Sequence, residues 1–345
     1  MSEDTHYLIL AEGFSADTHY GKTMRGVLRY RRDAVVAILD SERPPGQTEE
    51  GVPVVATVAD ALAFAPNTAL VGVATQGGRF PPAWIEILKT CIASGLDVEN
   101  GLHVFLADDP ELRELAARHK VELRDLRRPP HDLSTATGAN LDVPATIVLT
   151  VGSDCAIGKM TVALELDLEA RARGIRSVFV PTGQTGIAIA GWGISVDAVV
   201  ADFIAGAAER LVVEGAERGG ELLWVEGQGA ILHPIYSGVT LGLYHGSVPH
   251  LLVLCHQTGS THIEGAGGGP HPIPPLAELV ELHERVALPV RPAKVAAVAL
   301  NTRLLDEPAA RAAISAAEEE TGLPADDPVR FGAAKLTDAV LLSLI

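Results

Sequence analysis

Cysteine is scarce in this chain of 345 residues. Cys91, Cys155 and Cys255 are odd in number, scattered and without zinc-site spacing, which excludes a disulfide framework and indicates a reducing compartment. Basic residues are also few, since 27 lysines and arginines stand against 44 aspartates and glutamates, for a formal net charge of −17. That charge argues against a nucleic-acid or anionic-membrane surface, so an anionic ligand would need a local positive pocket.

Long apolar runs are absent as well. Glycines and charges interrupt each hydrophobic stretch before it reaches membrane-spanning length, and Ser2, Glu3 and Asp4 stand where a secretory signal would carry basic residues. We therefore expect a cytoplasmic protein with no membrane and no nucleic-acid partner. Its expected partners are small-molecule substrates and, in a homo-oligomer, other copies of the chain.

The chain is long enough for two domains, and strand and helix patterns alternate along it. Buried-strand patterns include one at residues 103–107, and a long helix is predicted over residues 195–213 with Ser195 as its N-cap. The alternation predicts an α/β protein: a Rossmann-like parallel-sheet domain over residues 1–130, a linker over 131–143 rich in Pro, Ser, Thr and Gly, and a P-loop NTPase-like α/β domain over 144–345.

The most informative stretch is a Gly-bounded loop between an apolar run at residues 146–151 and a helical pattern from residue 162. Loop glycines let backbone N–H groups turn toward one anion, the helix N-terminus adds partial positive charge, and the loop lysine reaches further oxygens. The pattern predicts a phosphate cradle. Its expected cofactor-binding residues are Gly152, Ser153, Asp154, Cys155, Ala156, Ile157, Gly158, Lys159, Met160 and Thr161.

This loop departs from the usual Walker A pattern at two places. Ser153 stands where the first glycine is expected, and Met160 follows Lys159 in place of a hydroxyl residue. The second departure matters because a thioether is a poor ligand for Mg²⁺, and Thr161 could substitute only if the helix began differently. The loop is therefore expected to hold a phosphate without a metal.

Three further polar loops follow predicted strands, at residues 181–186, 226–234 and 255–264. Chemistry in such folds lies at the carboxyl ends of the strands, so these loops are candidates for the site. Glu226 fits either a cap for the phosphate loop or a catalytic base, and His233 fits a base or a backbone-binding histidine. No standard metal motif matches the spacing of His256, His262 and Glu264. Cys155 fits either an acyl-accepting nucleophile or a small residue that lines the loop.

The loops 152–159, 181–186 and 225–229 resemble the dethiobiotin-synthetase branch of phosphate-loop proteins. With the Rossmann-like amino-terminal half and the segment Cys255-His-Gln-Thr-Gly-Ser-Thr-His-Ile-Glu-Gly265, the whole chain resembles a family once known only as a domain of unknown function, DUF1611. The activity characterised in that family is D-glutamate N-acetyltransferase.

The resemblance implies acetyl-CoA as co-substrate, its pyrophosphate held by the loop, with no metal expected. Glu226 or His233 would deprotonate the amino group of D-glutamate or a similar D-amino acid, and Gln184 or backbone N–H groups would stabilise the oxyanion. Two alternatives stay open: an ATP-dependent ligase or kinase of the dethiobiotin-synthetase type, and a non-catalytic nucleotide- or CoA-binding protein. Arginine candidates for the acceptor's carboxylates are Arg25, Arg29, Arg79 and Arg303.

Overall fold

The computed structural model describes residues 5–17, 20–44, 46–74, 78, 80, 83–265 and 270–344. Within them the strands are β1 (Tyr7–Leu10), β2 (Val35–Leu39), β3 (Thr48–Glu49), β4 (Val52–Val55), β5 (Thr68–Val71), β6 (Asp97–Asn100), β7 (Leu123–Asp125), β8 (Thr146–Gly152), β9 (Ser177–Val180), β10 (Leu222–Val225), β11 (Leu251–Gln257), β12 (Lys294–Asn301) and β13 (Ala325–Asp326). The α-helices are α1 (Lys22–Tyr30), α2 (Val58–Ala61), α3 (Trp84–Ala93), α4 (Pro110–His119), α5 (Lys159–Ala172), α6 (Gln184–Ala190), α7 (Ile204–Glu217), α8 (Ser237–Ser247), α9 (Leu276–Arg285), α10 (Glu307–Thr321) and α11 (Ala334–Leu342).

The chain divides into two compact units, residues 1–128 with 184–198, and residues 129–183 with 199–345. The segment 184–198, which the sequence pattern places in the second domain, clusters with the first unit. No described helix is both long enough and apolar enough to cross a bilayer.

The first unit contains one sheet in the order β3-β4-β2-β1-β5-β6-β7, parallel except for the β3–β4 pair. The order reverses at β1, as in a doubly wound fold. Strand β1 is buried along its whole length, as expected for a central parallel strand covered on both faces. Helix α4 begins at Pro110, because Asp109 caps it by accepting hydrogen bonds from the N–H groups of Glu111 and Leu112.

One strand prediction in this unit is wrong. Residues 103–107 form no strand, and the fifth parallel strand is β6, which carries the buried polar residues Glu99 and Asn100. The Glu99 carboxylate is stabilised there by the Tyr7 hydroxyl at 2.9 Å and the Arg124 guanidinium at 3.1 Å. This polar stretch forms a buried strand because residues distant in sequence supply its hydrogen-bond partners. The local sequence pattern does not show those partners.

The second unit contains a parallel sheet in the order β13-β12-β11-β8-β10-β9. Strands β8, β9, β10, β11 and β12 are apolar runs, as expected for the strands of a parallel sheet that is buried on both faces. The predicted helix over residues 195–213 is wrong at its start. Helix α7 begins at Ile204, because Ser195 instead donates its hydroxyl hydrogen to Asp197 and short 3₁₀ turns fill the space between.

Helix α9 of this unit carries a buried histidine that should make stability depend on pH. His283 is inaccessible to solvent. Burial lowers the pKa of its imidazole from 6.5 to about 4. Between these values the unfolded chain binds a proton and the folded chain does not, so stability is lost as the pH falls through that window.

We expect the free energy of unfolding to fall by about 3 kcal/mol more between pH 7 and pH 4 in the native sequence than in a His283→Leu variant. Urea titrations at the two pH values measure this difference. His119→Leu, which alters an exposed histidine, is the control and should keep the native dependence. An identical pH dependence in His283→Leu would assign the loss to other groups.

Candidate active site

The four polar loops that the sequence singles out follow four strands that are neighbours in the second sheet, in the order β11-β8-β10-β9. The register aligns their ends: Cys255 pairs with Gly152, and Val225 pairs with Leu149 and Val180. In a parallel sheet the carboxyl ends share one edge, so loops from β8, β10 and β11, with the start of the β9 loop, meet there.

Hydrogen bonds join these loops directly. The N–H of Ser153 donates to the carbonyl of Cys255 at 3.1 Å, and the N–H of Gly227 donates to the hydroxyl of Thr150 at 2.9 Å. The Ser153 hydroxyl also lies 2.9 Å from Nδ1 of His256, whose pKa is lowered by burial. Sequence reasoning missed Thr150, because it lies inside an apolar strand, and it considered His256 only as a metal ligand.

The backbone of the β8 loop has the shape predicted for an anion cradle. Gly158 adopts φ 111°, a value open to glycine, and Ala156 adopts the left-handed value of 54°. Helix α5 starts at Lys159, and the N–H of Val162 donates to the Gly158 carbonyl. The N–H groups of residues 159–161 come before this hydrogen bond in the chain. Such first-turn N–H groups have no helical acceptor and face an anion readily.

The loop's own side chains occupy part of this cradle. Lys159 is buried, and its ammonium donates to the carbonyl oxygen of Asp154 at 2.6 Å. Burial lowers the pKa of Lys159, opposed by nearby anionic groups of which Cys155 has the largest effect. The Asp154 carboxylate accepts hydrogen bonds from the N–H groups of Cys155 at 2.6 Å and Glu264 at 2.8 Å. An anionic ligand must therefore draw Lys159 away from Asp154 or share it.

Glu226 lies at the end of β10 and is buried. Its carboxylate accepts hydrogen bonds from the N–H groups of Thr182 at 2.9 Å and Gly183 at 3.2 Å, and from the amide of Gln228 at 3.1 Å. The Thr182 hydroxyl also donates to the Glu226 carbonyl at 2.7 Å. These contacts hold the loop after β9 in place, and the two predicted roles of Glu226, a cap for the phosphate loop and a catalytic base, stay predictions.

His233 is also buried, in the loop that follows β10. Its Nδ1 accepts a hydrogen bond from the N–H of Ile235 at 3.2 Å, so the neutral ring carries its proton on Nε2, which lies 3.3 Å from the Glu264 carbonyl. The ring also packs on Tyr236, with 4.6 Å between the ring centroids. As arranged, His233 presents an N–H rather than a lone pair at Nε2.

Donor atoms of Asp154, Cys155 and His233 lie within 4.8 Å of one another. A carboxylate, a thiolate and an imidazole are together a ligand set that zinc accepts. The hydrogen bonds do not suit a metal, because Nδ1 of His233 is occupied by Ile235 and Nε2 carries the proton, while both Asp154 oxygens already accept backbone N–H groups. We derive no chemistry through a metal here.

Gln184 belongs to the first unit, at the start of α6. Its amide oxygen accepts a hydrogen bond from the Arg127 guanidinium at 2.9 Å, and Arg127 also pairs with Asp197 and donates to the Gly101 carbonyl. Because the oxygen is held by Arg127, the amide nitrogen is the end that remains for other acceptors. The predicted oxyanion role of Gln184 stays a prediction.

The arginines proposed for the acceptor's carboxylates are divided between the two units, with Arg25 and Arg29 in the first and Arg303 in the second. Arg25 pairs with Glu49 at 3.5 Å within the first unit, while Arg303 follows the end of β12 in the second. Arg79 lies outside the described residues.

The fold and this loop define a class: a phosphate-loop α/β domain in a chain whose other unit is Rossmann-like. More narrowly, the chain belongs to the DUF1611 family. Residues 42–129 match its Rossmann-like N-terminal domain and residues 134–337 its P-loop C-terminal domain, each described as a domain of unknown function.

Two relatives carry the name D-glutamate N-acetyltransferase. The one from Tritonibacter scottomollicae is 39% identical over 82% of this chain and 84% of its own length, and the one from a Pseudoalteromonas species is 34% identical over 80% and 82%. A crystal structure of a DUF1611 family protein from Anabaena variabilis is similar in fold, with a TM-score of 0.90 and 42% identity over 98% of this chain and 100% of that chain.

Proposed function

We propose that this protein transfers an acetyl group from acetyl-CoA to the amino group of D-glutamate or a similar D-amino acid. The observation that carries the proposal is the glycine-bounded loop at the start of α5, with the buried Lys159, in a chain similar to two relatives named for this activity. D-glutamate is anionic, so the overall negative charge of the chain makes local positive groups such as Lys159 necessary.

The loop from Gly152 to Thr161 is the proposed binding site for acetyl-CoA. Its N–H groups and Lys159 suit a phosphate, and they equally suit the oxygen that becomes negative when an amine attacks a thioester carbonyl. Neither task requires a metal ion, and Met160 offers no hard oxygen ligand next to Lys159. We therefore propose a reaction without a metal.

The acceptor amine must lose a proton before or during the attack. Glu226 and His233 are the two proposed proton acceptors among the residues that the sequence singles out. Both are held by backbone hydrogen bonds, so either would act only after a ligand displaces one of its partners. Glu226 has the stronger structural role, since it accepts two backbone N–H groups from the loop after β9.

Two other functions are compatible with a phosphate loop. A ligase or kinase would use Mg²⁺-ATP and release ADP, and the carboxylate of Glu226 stands at the end of the strand next to β8, where a metal-binding acid is common in phosphate-loop proteins. A binding protein would take up acetyl-CoA or a nucleotide without turnover. Met160 disfavours the first of these.

The proposed function is tested with the purified chain, acetyl-CoA and D-glutamate. We expect release of free CoA thiol together with N-acetylated D-glutamate, at an unchanged rate in excess EDTA, because N–H donors and Lys159 stabilise the developing charge. Met160→Thr should gain no transfer activity, although restoring a hydroxyl should improve Mg²⁺-ATP binding. L-glutamate is the control for the acceptor.

Three results would contradict the proposed acetyl transfer without a metal. Thiol release that stops with EDTA and returns with Mg²⁺ would refute the reaction without metal. ADP formation with an amine substrate would establish the ATP-dependent alternative. Stabilisation by acetyl-CoA in thermal unfolding without any turnover would indicate a binding protein, because a ligand that binds only the native state raises its apparent stability.

A further inference from the structure

The three cysteines differ sharply in their surroundings. Cys91 and Cys255 are buried, and burial raises the pKa of each thiol to about 12. Cys155 is partly exposed in the loop between β8 and α5. A reactive thiol needs access and positive surroundings, so Cys155 alone among the three fits the first requirement.

The groups around Cys155 meet the second requirement. Its sulfur lies within 4.8 Å of a ring nitrogen of the buried His233, which has its proton on Nε2. Lys159 reaches the same turn, since its ammonium donates to the carbonyl of Asp154, the residue that precedes Cys155. A thiolate at Cys155 would therefore have the Lys159 ammonium in the same turn and the His233 ring within reach.

The backbone adds donors for an oxyanion. The chain turns sharply from β8 into α5, with Ala156 in a left-handed conformation that non-glycine residues rarely adopt, and the first-turn N–H groups of a 14-residue helix follow at once. This arrangement of strand, strained turn and helix N-terminus suits acyl transfer. A turn of this kind exposes the Cys155 side chain and supplies N–H groups to a tetrahedral intermediate.

We propose that Cys155 is a catalytic nucleophile that carries the acetyl group between acetyl-CoA and the amine. This inference rests on the proposed acetyl transfer and describes its path. Cys155 reacts as a thiolate paired with the Lys159 ammonium: the thiolate attacks the thioester carbonyl, the carbon–sulfur bond to CoA breaks, and the CoA thiolate takes a proton from that ammonium. The products of this half are acetyl-Cys155 and CoA.

In the second half the neutral amine of the acceptor attacks acetyl-Cys155. A carbon–nitrogen bond forms, the bond to the Cys155 sulfur breaks, and the proton lost by the amine goes to Lys159, which restores the thiolate–ammonium pair. The thioester carbonyl, rather than the pyrophosphate of CoA, then lies at the start of α5. The long pantetheine arm separates these two groups, so one loop does not hold both.

The test uses the full-length protein with acetyl-CoA and no acceptor. We expect one equivalent of free CoA per chain and a mass gain of one acetyl group on the peptide that contains Cys155, both reversed by hydroxylamine or by addition of D-glutamate. Cys155→Ala should form no adduct and lose about a hundredfold or more in turnover. Cys91→Ala is the matched control, because it removes a buried thiol of the first unit to which no role in the reaction is assigned.

The outcomes separate this inference from the function it rests on. Transfer by Cys155→Ala at more than half the native rate would overturn the nucleophile and leave the proposed function standing, and so would native protein that shows turnover but never an adduct. An adduct on Cys155 that D-glutamate fails to discharge would support the nucleophile and refute the acceptor. Stoichiometric zinc that is lost in both Cys155→Ala and His233→Gln would overturn the nucleophile and make the cluster a metal site.

Far-UV circular dichroism and thermal unfolding establish that Cys155→Ala folds. Cys155→Ser is a second variant whose hydroxyl keeps the shape of the loop and is a much weaker nucleophile than a thiolate. We expect it to be folded and nearly inactive. A serine variant with native turnover would again overturn the inference.

Discussion

Lys159→Met is expected to lower the rate of acetyl transfer by about a thousandfold while the chain stays folded. The methionine keeps most of the aliphatic stem in its buried position and removes the ammonium, which donates to the Asp154 carbonyl in the free protein. In a site that excludes water, a positive charge beside a developing oxyanion or a phosphate has a large effect, because the surroundings screen it poorly.

The measurements are kcat/KM for transfer to D-glutamate and the Kd for acetyl-CoA by calorimetry. Lys335→Met, which removes the ammonium of an exposed lysine paired with Glu318, is the control and should leave both values unchanged. A Lys159→Met variant within fivefold of native kcat/KM and Kd would show that the loop does not bind the donor.

Glu226→Ala is expected to lower the free energy of unfolding by about 3 kcal/mol and turnover by about a hundredfold. Truncation leaves the buried N–H groups of Thr182 and Gly183 without their acceptor, and the loop after β9 loses its anchor. Glu209→Ala is a matched control, because Glu209 is a buried carboxylate of the same unit that accepts from Thr137 and Gly138. Glu209→Ala should lower the free energy of unfolding by a similar amount and leave turnover nearly unchanged.

Glu226→Gln separates the two roles of this residue. An amide oxygen still accepts one backbone N–H, so an anchor is partly retained, whereas a general base is lost altogether. We expect Glu226→Gln to keep turnover within about tenfold of native and to be less stable than native. A variant as stable as native and as slow as Glu226→Ala would instead identify Glu226 as the base.

The sequence by itself determined the local parts of this protein. Near-continuous apolar runs identified β8 and β10 as strands buried on both faces, because a parallel sheet covered by helices needs no polar face. The glycine-bounded stretch ending in Lys159 determined the loop and the start of α5, since both depend on residues within one turn of chain. Motifs in the same stretch also carried the family resemblance.

Only the tertiary structure decided which distant residues meet. The strand order β11-β8-β10-β9 brings four separate loops to one edge, and no local pattern encodes that order. The polar strand β6 is stable because Tyr7 and Arg124 reach Glu99. His233 lies beside Cys155, and Glu226 holds the loop after β9, because the chain returns to the same sheet edge after long intervals. Hydrogen bonding and burial depend on neighbours in space, which sequence spacing leaves undetermined.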